Sequence, residues 1–204
     1  KINTYPVSER TNKSKLSDLL RLEDIDEMSF DVSEEAEVNL TLLAREIIAA
    51  REKNSPVIFF TGGHLVKNGL SGLLGDLVKR GLFTMISGNA ATSIHDFELA
   101  LIGETSEYVP QALEKGQFGM AYEFNYINAA LTLGDKNCLG YGEAVGKMIC
   151  DELFRDEVVK TLNPEHASFE FMHPEISLQA ICYEKKVPMT IHVGIGTDVI
   201  DQHT

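Results

Sequence analysis

The spacing of hydrophobic positions changes several times along this chain, and each change marks an element. Residues 57–60, Val-Ile-Phe-Phe, form a short apolar run of β-branched and aromatic side chains, the composition of a fully buried strand. A Gly-Gly-His turn follows. Leu65, Leu70, Leu73, Leu74, Leu77 and Val78 then recur at the spacing of one helix face, and Gly81 is placed to end that helix. A second apolar strand over 82–87, a small-residue turn over 88–91 and helical spacing over 93–102 repeat the unit. Two such units in sequence predict a parallel sheet with right-handed crossovers. A third strand is expected over 187–193, followed by Gly194-Ile195-Gly196-Thr197-Asp198. All three turns then fall at the carboxyl ends of their strands, the edge where open α/β sheets bind ligands.

The flanking regions read less sharply. Ser33 can cap a helix over 33–54, with Glu34, Glu35 and Glu37 at its positive end, Arg51 and Lys53 at its negative end, and a buried stripe of Leu40, Leu43, Ile47 and Ile48. Residues 103–121 read as a loop with one helical turn at 111–115. A helix is expected over 122–133, a break over 134–140, and one long helix over 141–161. A connection over 163–174 leads to a helix that starts at Pro174 and runs to about residue 185. Residues 1–32 are polar and irregular, an N-terminal arm with a helical candidate at 15–22 and an acidic patch at Asp24, Asp26 and Glu27. The division expected is therefore an arm, 1–32, and one Rossmann-like α/β domain, 33–204.

Composition narrows the function classes. The 204 residues suffice for one large core, and 44% apolar residues argue against disorder. A net charge of −13 makes nucleic acid and anionic membrane poor partners. No apolar run approaches membrane-spanning length and no leader is visible, so a cytoplasmic protein is expected. Cys138, Cys150 and Cys182 are odd in number and far apart, which suits reduced buried thiols and neither a disulfide framework nor a zinc site.

The three turns, 62–68, 88–96 and 194–198, are where chemistry is expected. Small residues let backbone N–H groups approach a phosphate, and the helix starts behind them favour anions. Neither G-x-G-x-x-G nor a P-loop is present in the first turn. His64, His95, His192 and His203 fall at or near this edge, with Asp96 and Asp198. Such a set can act as acid and base, with His95, Asp96 and His192 the catalytic candidates. It can also bind a metal, through His64, His95 and His192 with the two aspartates, or simply satisfy turn backbone. No H-x-x-x-H or H-E-x-x-H spacing supports the metal. Lys67 can meet a phosphate or stand exposed, Glu98 reads as helix surface, and the run Gly103-Glu104-Thr105-Ser106-Glu107 can reach the edge. His166 and His173 sit in the connection as structural or solvated residues. No G-x-S-x-G elbow or turn cysteine offers a nucleophile.

Three blocks of this chain, VIFFTGGHLVKNGL, TMISGNAATSIHDFELAL and ISLQAICYEKKVPMTIHVGIGTDVI, resemble deoxyhypusine synthase and its bacterial relatives in order and spacing. The last block, Lys-x-Val-Pro, a strand and then Gly-x-Gly-x-Asp, is the most specific. The resemblance implies the family's NAD-binding Rossmann-like fold, a homo-oligomer (dimer or tetramer), and NAD with a polyamine as small-molecule ligands in aminobutyl transfer. It implies cofactor-binding positions at Gly62, Gly63, His64, Asn68, Gly69, Ala90, Ala91 and Gly194, and a substrate amine at Asp198. Three positions depart from the family: Gly63-His64 replaces a Ser-Asn pair, Ile94-His95 a glutamate pair, and Val193 an aspartate. The family's imine-forming lysine lies beyond the third block, so the resemblance covers the N-terminal two thirds of such a protein. A diverged substrate follows. The alternatives are a metal- or histidine-dependent enzyme on the same fold and a non-catalytic nucleotide-binding or assembly module.

Overall fold

A computed structural model describes residues 3–25, 27–162 and 169–203. Asp26 of the acidic patch and His166 lie outside them. The described chain runs β1 (Asn12–Lys15), α1 (Leu22–Ile25), α2 (Glu34–Glu52), β2 (Ile58–Phe60), α3 (Gly63–Lys67), α4 (Ser71–Lys79), β3 (Met85–Asn89), α5 (Ala90–Ile102), β4 (Glu104–Glu107), α6 (Val109–Glu114), α7 (Phe124–Lys136), α8 (Tyr141–Cys150), α9 (Glu152–Leu162), α10 (Leu178–Lys185) and β5 (Met189–His192).

The centre is a parallel sheet in the order β2-β3-β5. Ile58 pairs with Met85, Phe59 with Ile86, and Ile86 in turn with Met189. Side chains alternate across a sheet, so Phe59, Ile86 and Met189 share one face. There they meet Leu74 and Val78 of α4 and Leu178 and Ile181 of α10 in one apolar core. Both crossover helices therefore cover the same face, as right-handed connections must when the strand order advances in one direction. On the other face Ile58 and Phe60 are 46% and 76% exposed, so the first strand is not the fully buried one its composition suggests. A second core, with Phe97, Phe124, Ile127, Met148 and Val158, lies among α5, α7, α8 and α9. This is a mixed α/β architecture of Rossmann type in the general sense.

Local chemistry explains the element boundaries. Asn89 caps α5 by accepting from the Thr92 N–H at 3.0 Å, and Gly103 closes the helix in the left-handed conformation at φ 70°. The single helix expected from residue 65 is two, because Gly69 at φ +88° breaks it. The long helix expected over 141–161 also breaks, at extended Asp151, whose carboxylate accepts from the Phe154 N–H at 3.1 Å and caps α9. Pro174 opens a short 3-10 turn, and the Ser177 hydroxyl caps α10 by accepting from the Ala180 N–H.

Three further expectations are corrected. Residues 103–121 contain β4 and α6, and the arm's β1 pairs antiparallel with β4, Ser14 facing Thr105. Helix α2 is present and Ser33 caps it, but none of its residues is buried: of the expected stripe, Leu40, Leu43 and Ile48 are exposed and Ile47 is half-buried. Cys182 is buried, whereas Cys150 is half-buried and Cys138 exposed. No helix among the described residues is long and apolar enough to cross a membrane.

Candidate functional site

At the carboxyl edge of the sheet lies a cavity of about 310 Å³. Its walls come from the end of α3 (Lys67), the start of α5 (Ala91, Ile94, His95), Phe118 and Phe124, and the loop after β5 (Thr197, Asp198). Behind these stand Arg10 of the arm, Glu98 and Glu107. Three separate strand ends and the arm thus meet at one place.

The chain of contacts behind His95 sets the tautomer of its neutral ring. The Thr105 hydroxyl donates its one hydrogen to Glu98. Its oxygen lies 2.8 Å from His95 Nδ1, so Nδ1 must be the donor in that contact. When the ring is neutral, Nε2 is then its basic atom, the atom a general base uses. Glu98 is itself held by Arg10, whose Nη2 lies 2.6 Å from Oε1, with both side chains almost wholly buried. Burial pushes the Glu98 carboxyl up, but the Arg10 guanidinium and His95 outweigh it and hold the group below its ordinary value. Arg10 also donates from Nε to Asn12 at 2.8 Å and stands 4.0 Å from Glu107. Glu107 accepts from the Tyr5 hydroxyl at 2.8 Å and from the Gly119 N–H at 3.0 Å. Burial and then Glu107 raise the Tyr5 phenol, which stays protonated.

On the opposite wall, Asp198 is half-buried. Its Oδ2 accepts from the Gly194 N–H at 2.9 Å, which orients the carboxylate at the cavity wall. Thr197 braces the same loop by donating to the Gly194 carbonyl at 2.7 Å. Counting Arg10, Lys67, Glu98, Glu107 and Asp198, with His95 neutral, the lining carries one excess negative charge.

The structure brings Ala91, His95 and Asp198 together, with Lys67, and sends the other expected residues elsewhere. Asp96 is fully buried on the far side of α5. It accepts from the Ser177 hydroxyl, the Leu178 and Gln179 N–H groups and the Gln179 amide, at 2.6–3.1 Å, and so ties the start of α10 to α5. Burial raises its carboxyl against those four bonds. That role is structural and corrects its reading as a catalytic candidate. His192 is exposed and 3.2 Å from the Thr190 hydroxyl, and His64 is exposed on α3. His203 Nε2 contacts the Gly119 carbonyl at 2.7 Å, and His173 lies 3.9 Å from Glu175. Among the described residues no three His, Cys, Asp or Glu side chains converge to hold a metal ion.

The first turn does not open as a dinucleotide cradle. A Cβ on Gly63 would stand 3.0 Å from Ala91 Cβ and 2.9 Å from the His95 ring, so this glycine lets α3 and α5 touch. Gly69 is covered by the arm, with Asp18 O at 2.7 Å from where its Cβ would be. Ala90 is buried in the core, Asn68 and Gly194 are exposed, and Gly62 is half-buried. Sequence reading missed Arg10, Phe118 and Phe124, took Glu98 for surface, and reached Thr105 and Glu107 only as part of the 103–107 run near the edge. Glu98 did carry a signal, its i, i+3 spacing from His95.

Neither a known protein family nor a curated protein matches this sequence. Among solved structures, the apo form of ArgZ, an arginine dihydrolase from the ornithine-ammonia cycle in cyanobacteria, is similar at 18% identity and a TM-score of 0.45. The match covers 79% of this chain and 19% of that one, so the chain spans about a fifth of that enzyme's length. A likeness of that extent carries no argument about fold or function.

Proposed function

We propose that this chain is a deoxyhypusine-synthase-like protein whose edge cavity takes a small amine with an apolar stem, a polyamine-type ligand. The observation that carries the reading is the cavity wall itself: a fixed Asp198 carboxylate facing Phe118, Phe124 and Ile94, with net negative charge. A carboxylate pairs with an ammonium, aromatic faces attract it, and apolar walls suit a methylene chain. In this reading Asp198 anchors one amine. His95 Nε2 accepts a proton from the reacting amine, and Thr105 and Glu98 hold the ring in the required tautomer. The cavity of about 310 Å³ is at the small end of ligand sites. NAD, which the family resemblance implies, is the second reading; what favours it is Ala91 on the cavity wall at the start of α5.

Titration calorimetry of spermidine and of NAD, in separate experiments, tests both. Spermidine is expected to bind, and Asp198→Asn to weaken it at least about ten-fold, the loss of one charge-assisted pair. Spermidine that gives no heat, or binds Asp198→Asn equally well, overturns the polyamine reading. NAD binding that weakens on Ala91→Leu moves the assignment to the second.

A further inference from the structure

Among the described residues, half of the large hydrophobic side chains that stand exposed fall within residues 28–60, a sixth of the chain: ten of twenty. They are concentrated on α2 and on the uncovered face of β2. Along α2 the apolar positions Ala36, Leu40, Leu43, Ile47 and Ala50 follow a 4-3-4-3 spacing. That is the seam one helix presents to another. Leu40 and Leu43 are each 58% exposed, and no helix among the described residues buries the seam. The other seam positions, Ala36, Ile47 and Ala50, are half-buried, and Val38, Leu42 and Ile48 stand exposed beside the two leucines, so together they form a docking surface rather than scattered exposure.

The charges on α2 select the occupant. Its first half carries Glu34, Glu35 and Glu37 and no cation, whereas Arg45, Arg51 and Lys53 lie toward its end and outnumber Glu46 and Glu52. Two such helices laid antiparallel place the acidic start of each against the more basic end of the other. They also oppose their helix dipoles. A parallel arrangement stacks the acidic starts. The surface is thus self-complementary about a twofold axis, the requirement for an isologous dimer. We propose that α2 docks antiparallel on α2 of a second copy of this chain, with the 40/43/47 seam between them. The interface is separate from the cavity and does not depend on what the cavity binds.

Sedimentation of the whole chain and of two charge variants tests this. One variant carries Glu34→Lys, Glu35→Lys and Glu37→Lys; the other carries Arg45→Glu and Lys53→Glu. Arg51 is left alone because it donates to the Gly81 and Ser55 carbonyls. The unmodified chain is expected to dimerise, each variant alone to be monomeric, and an equimolar mixture to recover the dimer. Leu40→Glu with Leu43→Glu is expected to abolish it, circular dichroism confirming that each variant is folded. A monomeric unmodified chain at about 100 μM, the range of weak association, overturns the proposal by leaving the seam to another segment or protein. A dimer that survives Leu40→Glu with Leu43→Glu, or variants that fail to pair when mixed, also overturns it.

Discussion

Glu98 and Asp96 sit two residues apart on α5, are equally buried, and have opposite fates. Asp96 is enclosed by the start of α10, whereas Glu98 faces a guanidinium and a histidine chain. Folding lowers the Glu98 carboxyl below its ordinary value of 4.5, so its ionised form stabilises the fold. That contribution is complete above the ordinary value and is lost as pH falls through the lower folded value. Denaturant titrations between about pH 5 and pH 3, which span the ordinary carboxylate value, are therefore expected to show the unmodified protein losing more stability than Glu98→Gln. Parallel losses in the two proteins would mean that Arg10 does not hold the charge. At this scale the residue types were legible: a histidine, two carboxylates and small turn residues at an expected strand end. Their direction was not. On a helix buried on most sides, His95 and Glu98 meet at Thr105 while Asp96 turns to α10, and the spacing alone does not say which side faces the edge.

Elements were mostly predicted from periodicity, and their breaks were missed where a side chain or a glycine acts locally. Gly69 shows why such a break matters. It takes φ +88°, and its carbonyl accepts from the Leu20 N–H of the arm at 3.0 Å. Gly69→Ala meets both the left-handed strain and the Asp18 carbonyl, and is expected to cost about 2–3 kcal/mol. Gly81 has a similar φ of +72° but open space around it, so Gly81→Ala is expected to cost only about 1 kcal/mol. Chemical denaturation of the two variants checks the difference; equal costs would show that the arm yields at no expense. Strand β4 was illegible for a related reason. Glu-Thr-Ser-Glu has no apolar alternation, and it is a strand because Asn12–Lys15 comes from far away to pair with it.

At the scale of the whole molecule the arm is part of the site. Arg10 enters the second core, the Val7 N–H donates to Glu123 at 2.8 Å, and β1 supplies the partner of β4. Removing residues 1–15 leaves Glu98 buried without its countercharge, and is expected to destabilise the remainder by about 3–5 kcal/mol. Adding Glu98→Gln to the shortened chain is expected to return part of that loss in thermal denaturation. No recovery would assign the arm's value to packing and strand pairing instead.

The sequence by itself determined the local units: three strands with their turns, the capped helix α2, the helix after the second turn, and the parallel arrangement that two strand–helix units impose. These follow from periodicities and caps that act within one turn of chain. Tertiary structure decided which turns open and which close, since that depends on residues far apart in the chain. Gly63 is filled by Ala91 and His95, Gly69 by the arm, and Asp198 is left facing the cavity. It also decided that α2, apolar along one seam, has no cover within the described chain, because burial is a property of neighbours and not of the pattern that seeks them.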